Sequence, residues 1–188
     1  MADINNLNVL VICGSLRKGS FNAMVANTLP DLAPAGMKIT RSPTIVMPLY
    51  NADVQNSEGF PAPATALADA IRAADGVIIV TPEYNYSIPG VLKNAIDWVS
   101  RLQNQPFAGK PVAIQSATGG PLGGGRMQYH LRQCLIFLDA FTFGRPEIFI
   151  GMAQNKVDAA KGVVTDPPTL DIVKQQLAAF AKFIVKVS

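Results

Sequence analysis

Short apolar runs alternate along the chain with longer stretches whose apolar residues recur at helical spacing. Asn8–Cys13 (NVLVIC), Gly76–Thr81 (GVIIVT) and Pro111–Ala117 (PVAIQSA) are rich in Val and Ile and apolar on both faces, the pattern of parallel strands covered on two sides. Met37–Arg41 (MKITR) alternates and predicts an edge strand, and a fifth strand is expected within Pro146–Ile150 (PEIFI). Helical stripes fall between and after these runs: Val25, Leu29 and Leu32, with Pro30 obscuring that helix's end; Leu67, Ala68, Ile71 and Ala74; Leu92, Ala95, Ile96 and Val99; Leu131, Leu135 and Leu138. The last stripe, Leu170, Val173, Leu177, Phe180 and Ile184, is the cleanest. The order β-α-β-α-β-α-β-α-β-α predicts an α/β three-layer sandwich around a five-stranded parallel sheet. The near-uniform apolar run Cys134–Leu138 predicts a helix buried on most sides, with a partner subunit as one candidate cover. The stretch from Pro43 to Pro63 is the one long irregular connection, expected to overhang a site or a subunit contact.

Composition narrows the class. At 188 residues, 49% hydrophobic and 15% charged, residues 1–188 form a single domain with a sizeable core and not a disordered chain. The net charge of +3 comes from 16 basic against 13 acidic residues. The bases are scattered, with no basic arm, so nucleic acid is not an expected partner. The first apolar stretch, Val9–Cys13, is shorter than the roughly 7–15 residues of a signal-peptide core. No run approaches the roughly 20 apolar residues that span a bilayer, so neither export nor a membrane is expected. Cys13 and Cys134 lack a CxxC partner and read as free thiols of a reducing compartment, which makes the cytoplasm the expected location.

In an open parallel sheet, ligands sit beyond the carboxyl ends of the strands. Three loops at that end are unusual. Gly14-Ser-Leu-Arg-Lys-Gly-Ser-Phe-Asn22 joins the first strand to a helix and supplies two glycines, two serine hydroxyls, Arg17, Lys18 and Asn22. Amides at a helix start, with the positive end of the dipole behind them, form an anion site, and the hydroxyls and arginine add donors for a phosphate monoester. A plain surface turn, capped by Ser20 or Asn22, is the alternative. Thr81-Pro-Glu-Tyr-Asn-Tyr-Ser-Ile-Pro-Gly90 is stiffened by two prolines and carries two tyrosines and an asparagine. It suits a flat aromatic ligand with a polar edge, or else simply leads into a helix. Ser116-Ala-Thr-Gly-Gly-Pro-Leu-Gly-Gly-Gly-Arg126 has five glycines, which let backbone approach a ligand closely or let the loop act as a hinge.

Near misses define the phosphate ligand. Gly14 and Gly19 fit a Walker A loop, but Ser20 stands where its lysine must be. Leu16 occupies the second glycine of GxGxxG, which blocks a pyrophosphate. A phosphatase loop beginning at Cys13 requires Arg where Gly19 stands, so Asp166-Pro167, which resembles that class's general-acid loop, is a decoy. A terminal phosphate that is bound and not cleaved survives. His130 is the single histidine, so no His-based triad or zinc site can form. It reads as a helix-surface or interface residue, Cys13 as packing at a strand end, and the six methionines as core filler.

The three loops together resemble a family. GSLRKGSFN is similar to the flavin-phosphate motif GSxRxxSxN of NAD(P)H-dependent FMN reductases. TPEYNYSIPGVLKNAIDW resembles their flavin-edge segment, and TGGPLGGGRMQYHLRQ their third loop. The likeness runs from about Val9 to Ile150, with quinone and chromate reductases as the most similar subgroup. It implies a flavodoxin-like fold with strand order 2-1-3-4-5 and tightly held FMN. Ser15, Arg17, Ser20, Phe21 and Asn22 would hold the phosphate. Pro82, Glu83, Tyr84, Asn85 and Tyr86 would line the isoalloxazine, and Ser116, Thr118, Gly119 and Gly120 would close its other side. The family forms homodimers or homotetramers, and Tyr86, Arg126, Tyr129 and Glu147 resemble its interface polar network.

The activity so implied is hydride transfer from NADPH or NADH to flavin N5 and on to small-molecule electron acceptors: quinones, free flavin, chromate, azo or nitro compounds. No catalytic side chain is required, because the flavin carries the chemistry. Backbone amides within residues 116–120 are expected near flavin N1 and O2, and Arg17 or Arg101 is a candidate for an NADPH phosphate. The rival readings are a flavodoxin-type electron carrier, which the +3 charge disfavours, a phosphoryl-transfer enzyme, and a flavin-binding sensor without turnover.

Overall fold

The Val- and Ile-rich runs form the inner strands of a parallel sheet in the computed structural model, which describes residues 3–188. Strands β1 (Leu7–Cys13), β2 (Met37–Arg41), β3 (Gly76–Val80) and β4 (Pro111–Ala117) stand in the order 2-1-3-4, and the fifth position lies beside β4. This is the flavodoxin-like arrangement. The fifth position is built from two pieces. β5 (Phe141–Thr142) pairs with Pro111 and Val112, and β6 (Ile148–Ile150) pairs with Gln115–Ala117. Gly144 and Pro146 separate the pieces; a proline offers no N–H to a ladder, so the expected strand in Pro146–Ile150 starts at Ile148.

Side chains alternate across the inner strands and feed two cores. Val9, Val11, Ile78 and Val80 pack with α1 (Phe21–Thr28) and α6 (Pro167–Val187) through Val25, Val173, Leu177, Phe180 and Ile184. Leu10, Ile12, Val77, Ile79 and Ile114 pack with α3 (Ala62–Ala73), α4 (Gly90–Val99) and α5 (Gly125–Phe137) through Leu67, Ile71, Leu92, Ile96, Leu131 and Leu135. Pro30 shortens the first helix as its ring dictates: α1 stops at Thr28, and Leu29–Leu32 continues as a 3₁₀ turn.

The Pro43–Pro63 connection is more ordered than its composition predicts. It contains α2 (Ala52–Glu58), and its first half is strapped across α4. The Asn94 amide donates to Pro48 O at 2.9 Å and accepts from Tyr50 N at 2.8 Å, while the Trp98 indole N–H donates to Pro48 O at 2.7 Å. Tyr50 and Phe60 set their rings edge-on to Trp98. A hairpin, β7 (Val157–Asp158) with β8 (Val163–Val164), precedes α6; its strands are too short to show a period in the sequence. On α5 the Leu131, Leu135 and Leu138 stripe is buried, but Ile136 and Phe137 are 67% and 83% exposed, so this chain alone does not cover most sides of that helix. Among the described residues, no helix is long and apolar enough to cross a membrane.

Candidate functional site

The three loops converge because their strands are neighbours. Cys13 lies in register with Val80, and Val80 with Gln115. Gly14 is the seam: its N–H donates to Val80 O at 2.9 Å, and a Cβ added there would stand 2.6 Å from Thr81 Cβ. Beyond it lies a cleft of about 220 Å³ lined by Ser15, Arg17, Ser20, Phe21, Asn22, Pro82, Glu83, Tyr84, Ala117, Thr118 and Gly119. The volume is below the roughly 300–1,000 Å³ usual for drug-sized ligands, so a long ligand anchored here extends over the open rim. Asn85, Tyr86, Ser116 and Gly120, also expected at the site, stand outside this lining. Ala117, not expected, lines it; its place as the last residue of a strand feeding the site is the signal that could have found it.

The first loop keeps its donors open. Arg17 enters none of the ion pairs among the described residues and lies with its guanidinium 5.6 Å from the Phe21 ring centre. Ser20 is the N-cap of α1, its Oγ accepting from Ala23 N at 3.4 Å, which leaves the hydroxyl proton free to donate. Capping and anion binding are therefore compatible roles. As first-turn amides, the N–H groups of Phe21 and Asn22 have no partner inside the helix. The Asn22 side chain is different. It is 2% exposed, and its amide donates to Ala117 O at 2.8 Å and accepts from Ala117 N at 2.9 Å.

The second loop ties Glu83 and Ser87 to α5. Tyr84 and Ser87 form a two-bond bridge around Asn85 (φ 49°) and Tyr86 (φ 66°), a tight turn with both central residues left-handed. The Glu83 carboxylate accepts from Met127 N at 3.1 Å and faces Arg126 at 3.5 Å, which places a negative charge at the start of α5. Arg126 in turn lies 3.8 Å from the Tyr86 ring centre, and Ser87 Oγ shares a hydrogen bond with His130 Nδ1 at 3.1 Å. Pro82 is buried, while Tyr84 and Tyr86 are exposed aromatic faces at the rim. Of the four residues expected in an interface network, Tyr86 meets Arg126, and Tyr129 meets Glu147 at 3.5 Å, within one chain.

The third loop is fastened at both ends. Ser116 is buried with its Oγ donating to Gly123 O at 2.5 Å and accepting from Gln128 Nε2 at 2.7 Å, so its hydroxyl is committed inside the protein. Gly124, at φ 88°, would press an added Cβ to 2.7 Å from Ser116. Thr118 N donates to Ile150 O, and Met152 N to Gly120 O, both at 3.0 Å. Ala117 N and Thr118 N are engaged, so among the cleft-lining residues of this loop Gly119 is the one whose amide has no protein partner.

The molecule's other hollows differ in kind. A roomier one of about 700 Å³ lies at the amino end of the sheet. Its cations are occupied: Arg72 pairs with Asp69, and the Lys110 ammonium donates to Ala74 O. Burial pushes the Lys110 pKa down, against the pull of Asp75. Cys134 lines a groove between α4 and α5, where burial raises its thiol pKa above the usual value and makes a reactive thiolate unfavourable. No cluster of three or more His, Cys, Asp or Glu side chains suited to a metal ion exists among the described residues.

Comparison with known proteins bears on the fold and on the class of activity. Residues 7–155 match the family described as NADPH-dependent FMN reductase. The chain is 60% identical over 182 residues to a quinone reductase of Escherichia coli, covering 96% of this chain and 97% of that protein. It is 46% identical over 180 residues to an NAD(P)H-dependent FMN reductase of Pseudomonas aeruginosa, with 96% of each covered. Among solved structures, the flavoenzyme NAD(P)H:(acceptor) oxidoreductase FerB of Paracoccus denitrificans superposes with a TM-score of 0.85 at 34% identity, covering 96% of this chain and 98% of that one.

Proposed function

The chain belongs to the NADPH-dependent FMN reductase family, and on that footing we propose that this oxidoreductase holds FMN in the cleft between Ser15–Asn22 and Ala117–Gly119 and delivers electrons from NAD(P)H to quinones. The observation that carries the reading is a donor-rich phosphate end, with Arg17 outside every ion pair among the described residues, opening directly onto an exposed aromatic rim. When bound, FMN accepts a hydride from NAD(P)H and passes reducing equivalents to the acceptor. Ser15, Arg17, Ser20 and the first-turn amides of α1 bind the phosphate. The Tyr84–Ser87 turn orients one edge of the ring, with Glu83 and Arg126 holding that turn against α5. The Gly119 amide, with Gly120 beside it, would serve the ring's other edge, where backbone N–H groups favour negative charge.

Tyr84 and Tyr86 are 50% and 61% exposed, an open rim that small acceptors of varied shape can reach. Free flavin, chromate, azo and nitro compounds are accordingly further candidate acceptors beside quinones. The exposed Ile136 and Phe137 on α5 support assembly as a homodimer or homotetramer, and two unpaired thiols support a cytoplasmic location. Light scattering gives the stoichiometry; a strictly monomeric particle removes the assembly.

The deciding test of the activity is the visible spectrum of the purified protein before and after anaerobic NADPH. Flavin bands that bleach, and return on adding a quinone, are expected. Bands that persist with either nicotinamide point to a carrier or sensor. A colourless protein that takes up no FMN removes the reading.

A further inference from the structure

Asn22 belongs by motif to the phosphate loop, yet its side chain faces away from an anionic role. Both halves of its amide are engaged by one residue, Ala117, whose N–H and C=O it grips at 2.9 and 2.8 Å. The contact joins two segments 95 residues apart in sequence. It is buried, with Asn22 2% exposed and Ala117 2% exposed, and water does not compete for it. Ala117 is the last residue of β4, immediately before the Thr118–Gly119 backbone that lines the cleft. Its neighbour Ser116 is fixed from the opposite side by Gln128 and by Gly123 O. The position of the 118–120 backbone is therefore set from α1 on one side and α5 on the other.

We infer that the Asn22 side chain, as distinct from its backbone N–H, is a positioning group and not a phosphate ligand: its amide locks the start of α1 to the end of β4, so that the phosphate-binding and ring-facing loops are placed as one unit. The inference rests on the proposed FMN site. A phosphate ligand and a positioning residue differ in how they treat a flavin without a phosphate. Loss of a ligand weakens FMN and spares riboflavin. Loss of the lock displaces Ala117–Gly120 and weakens both.

The experiment uses the full chain freed of bound flavin by dialysis, titrated with FMN and separately with riboflavin by quenching of flavin fluorescence. Removing one partner of a buried hydrogen-bonded pair leaves about 1–3 kcal/mol unmatched, so Asn22→Ala is expected to weaken both ligands about tenfold or more, by similar factors. Arg17→Ala, by contrast, is expected to weaken FMN alone. Asn22→Ser keeps a neutral, shorter side chain that can still accept from Ala117 N–H; it is expected to lie between wild type and Asn22→Ala for both flavins, and it serves if the alanine variant does not fold. Thr28→Val is the control for general destabilisation of α1. Its buried hydroxyl donates to Met24 O and accepts from Val164 N, away from the cleft, so both affinities should hold. Amide exchange should quicken at residues 117–120 in Asn22→Ala and not in Thr28→Val. A variant Asn22→Ala that loses FMN while keeping riboflavin, or keeps both, overturns the inference, as does an equal loss in Thr28→Val. Wild-type protein that binds neither flavin overturns the site reading itself.

Discussion

Gly19 in the first loop and Tyr86 in the second share nearly the same positive φ, 68° and 66°, and the residues could hardly differ more. At Gly19 the left-handed turn costs little, and the missing side chain keeps the loop thin where an anion must approach backbone and hydroxyl donors. At Tyr86 a bulky residue is held in a conformation that costs about 1–2 kcal/mol for a side chain with a Cβ. The strain persists because the surroundings fix it: the Tyr84–Ser87 bridge closes the turn, and Arg126 lies against the ring. The phosphate end is thus built from unstrained backbone with open donors, and the rim from a strained turn fastened through Glu83, Ser87 and Arg126. Charge recognition needs donors without prior partners, whereas presenting a flat face needs rigidity.

That contrast can be broken at the seam the two loops share. Gly14→Ala forces a Cβ against the Thr81 side chain, with Leu92 beside it, and is expected to have the largest effect, about 3 kcal/mol of stability by overpacking among buried side chains. Urea unfolding measures it, and a loss below 1 kcal/mol means that the loops separate more easily than the packing implies. Gly19→Ala comes next, at about 1–2 kcal/mol from its positive φ alone, since an added Cβ there meets nothing closer than the end of Arg17. The reciprocal change, Tyr86→Gly, is expected to raise stability by up to about 1 kcal/mol, strain relief outweighing the lost Arg126 stack. A fall in melting temperature instead would show that the stack dominates the turn.

The smallest effect lies outside both loops and calibrates them. Asp166 caps α6, its carboxylate accepting from Thr169 Oγ1 at 2.6 Å and Thr169 N at 3.1 Å, and the bond to the Thr169 hydroxyl above all lowers its pKa below 3.8. A lowered carboxylate stabilises the fold above the unfolded pKa and ceases to do so as pH falls through the folded one. Asp166→Asn should lower the melting temperature slightly at neutral pH and match wild type near pH 2, so that its decline between about pH 5 and pH 2 is flatter. A variant with an unaltered acid slope would assign that slope to other carboxylates.

How much of this was legible beforehand depended on whether the signal is local. The inner strands showed as continuous Val and Ile runs because both of their faces are buried, and α6 showed as a clean stripe because only one of its faces is. Ser15, Arg17, Ser20, Pro82, Tyr84, Thr118 and Gly119 reached one cleft as their loop positions predict. The order within the Pro43–Pro63 stretch could not be read, because it comes from Asn94 and Trp98, over 40 residues away. The same holds for Asn22 and Glu83: their residue types announce a polar role, while their partners, Ala117 and Met127, lie 95 and 44 residues along the chain. The split of the fifth strand position was written locally, in Gly144 and Pro146, and only the pairing of Phe141 and Thr142 was not.

The strap over α4 makes the molecule its own reporter. Its single tryptophan, Trp98, is fully buried, with its indole N–H on Pro48 O and the rings of Tyr50 and Phe60 beside it. When the strap lifts, the indole exchanges a carbonyl partner and two aromatic neighbours for water, and its emission moves to longer wavelength. Selective excitation of that one fluorophore therefore reads the undocking of residues 48–60 separately from flavin release, which is followed in the visible.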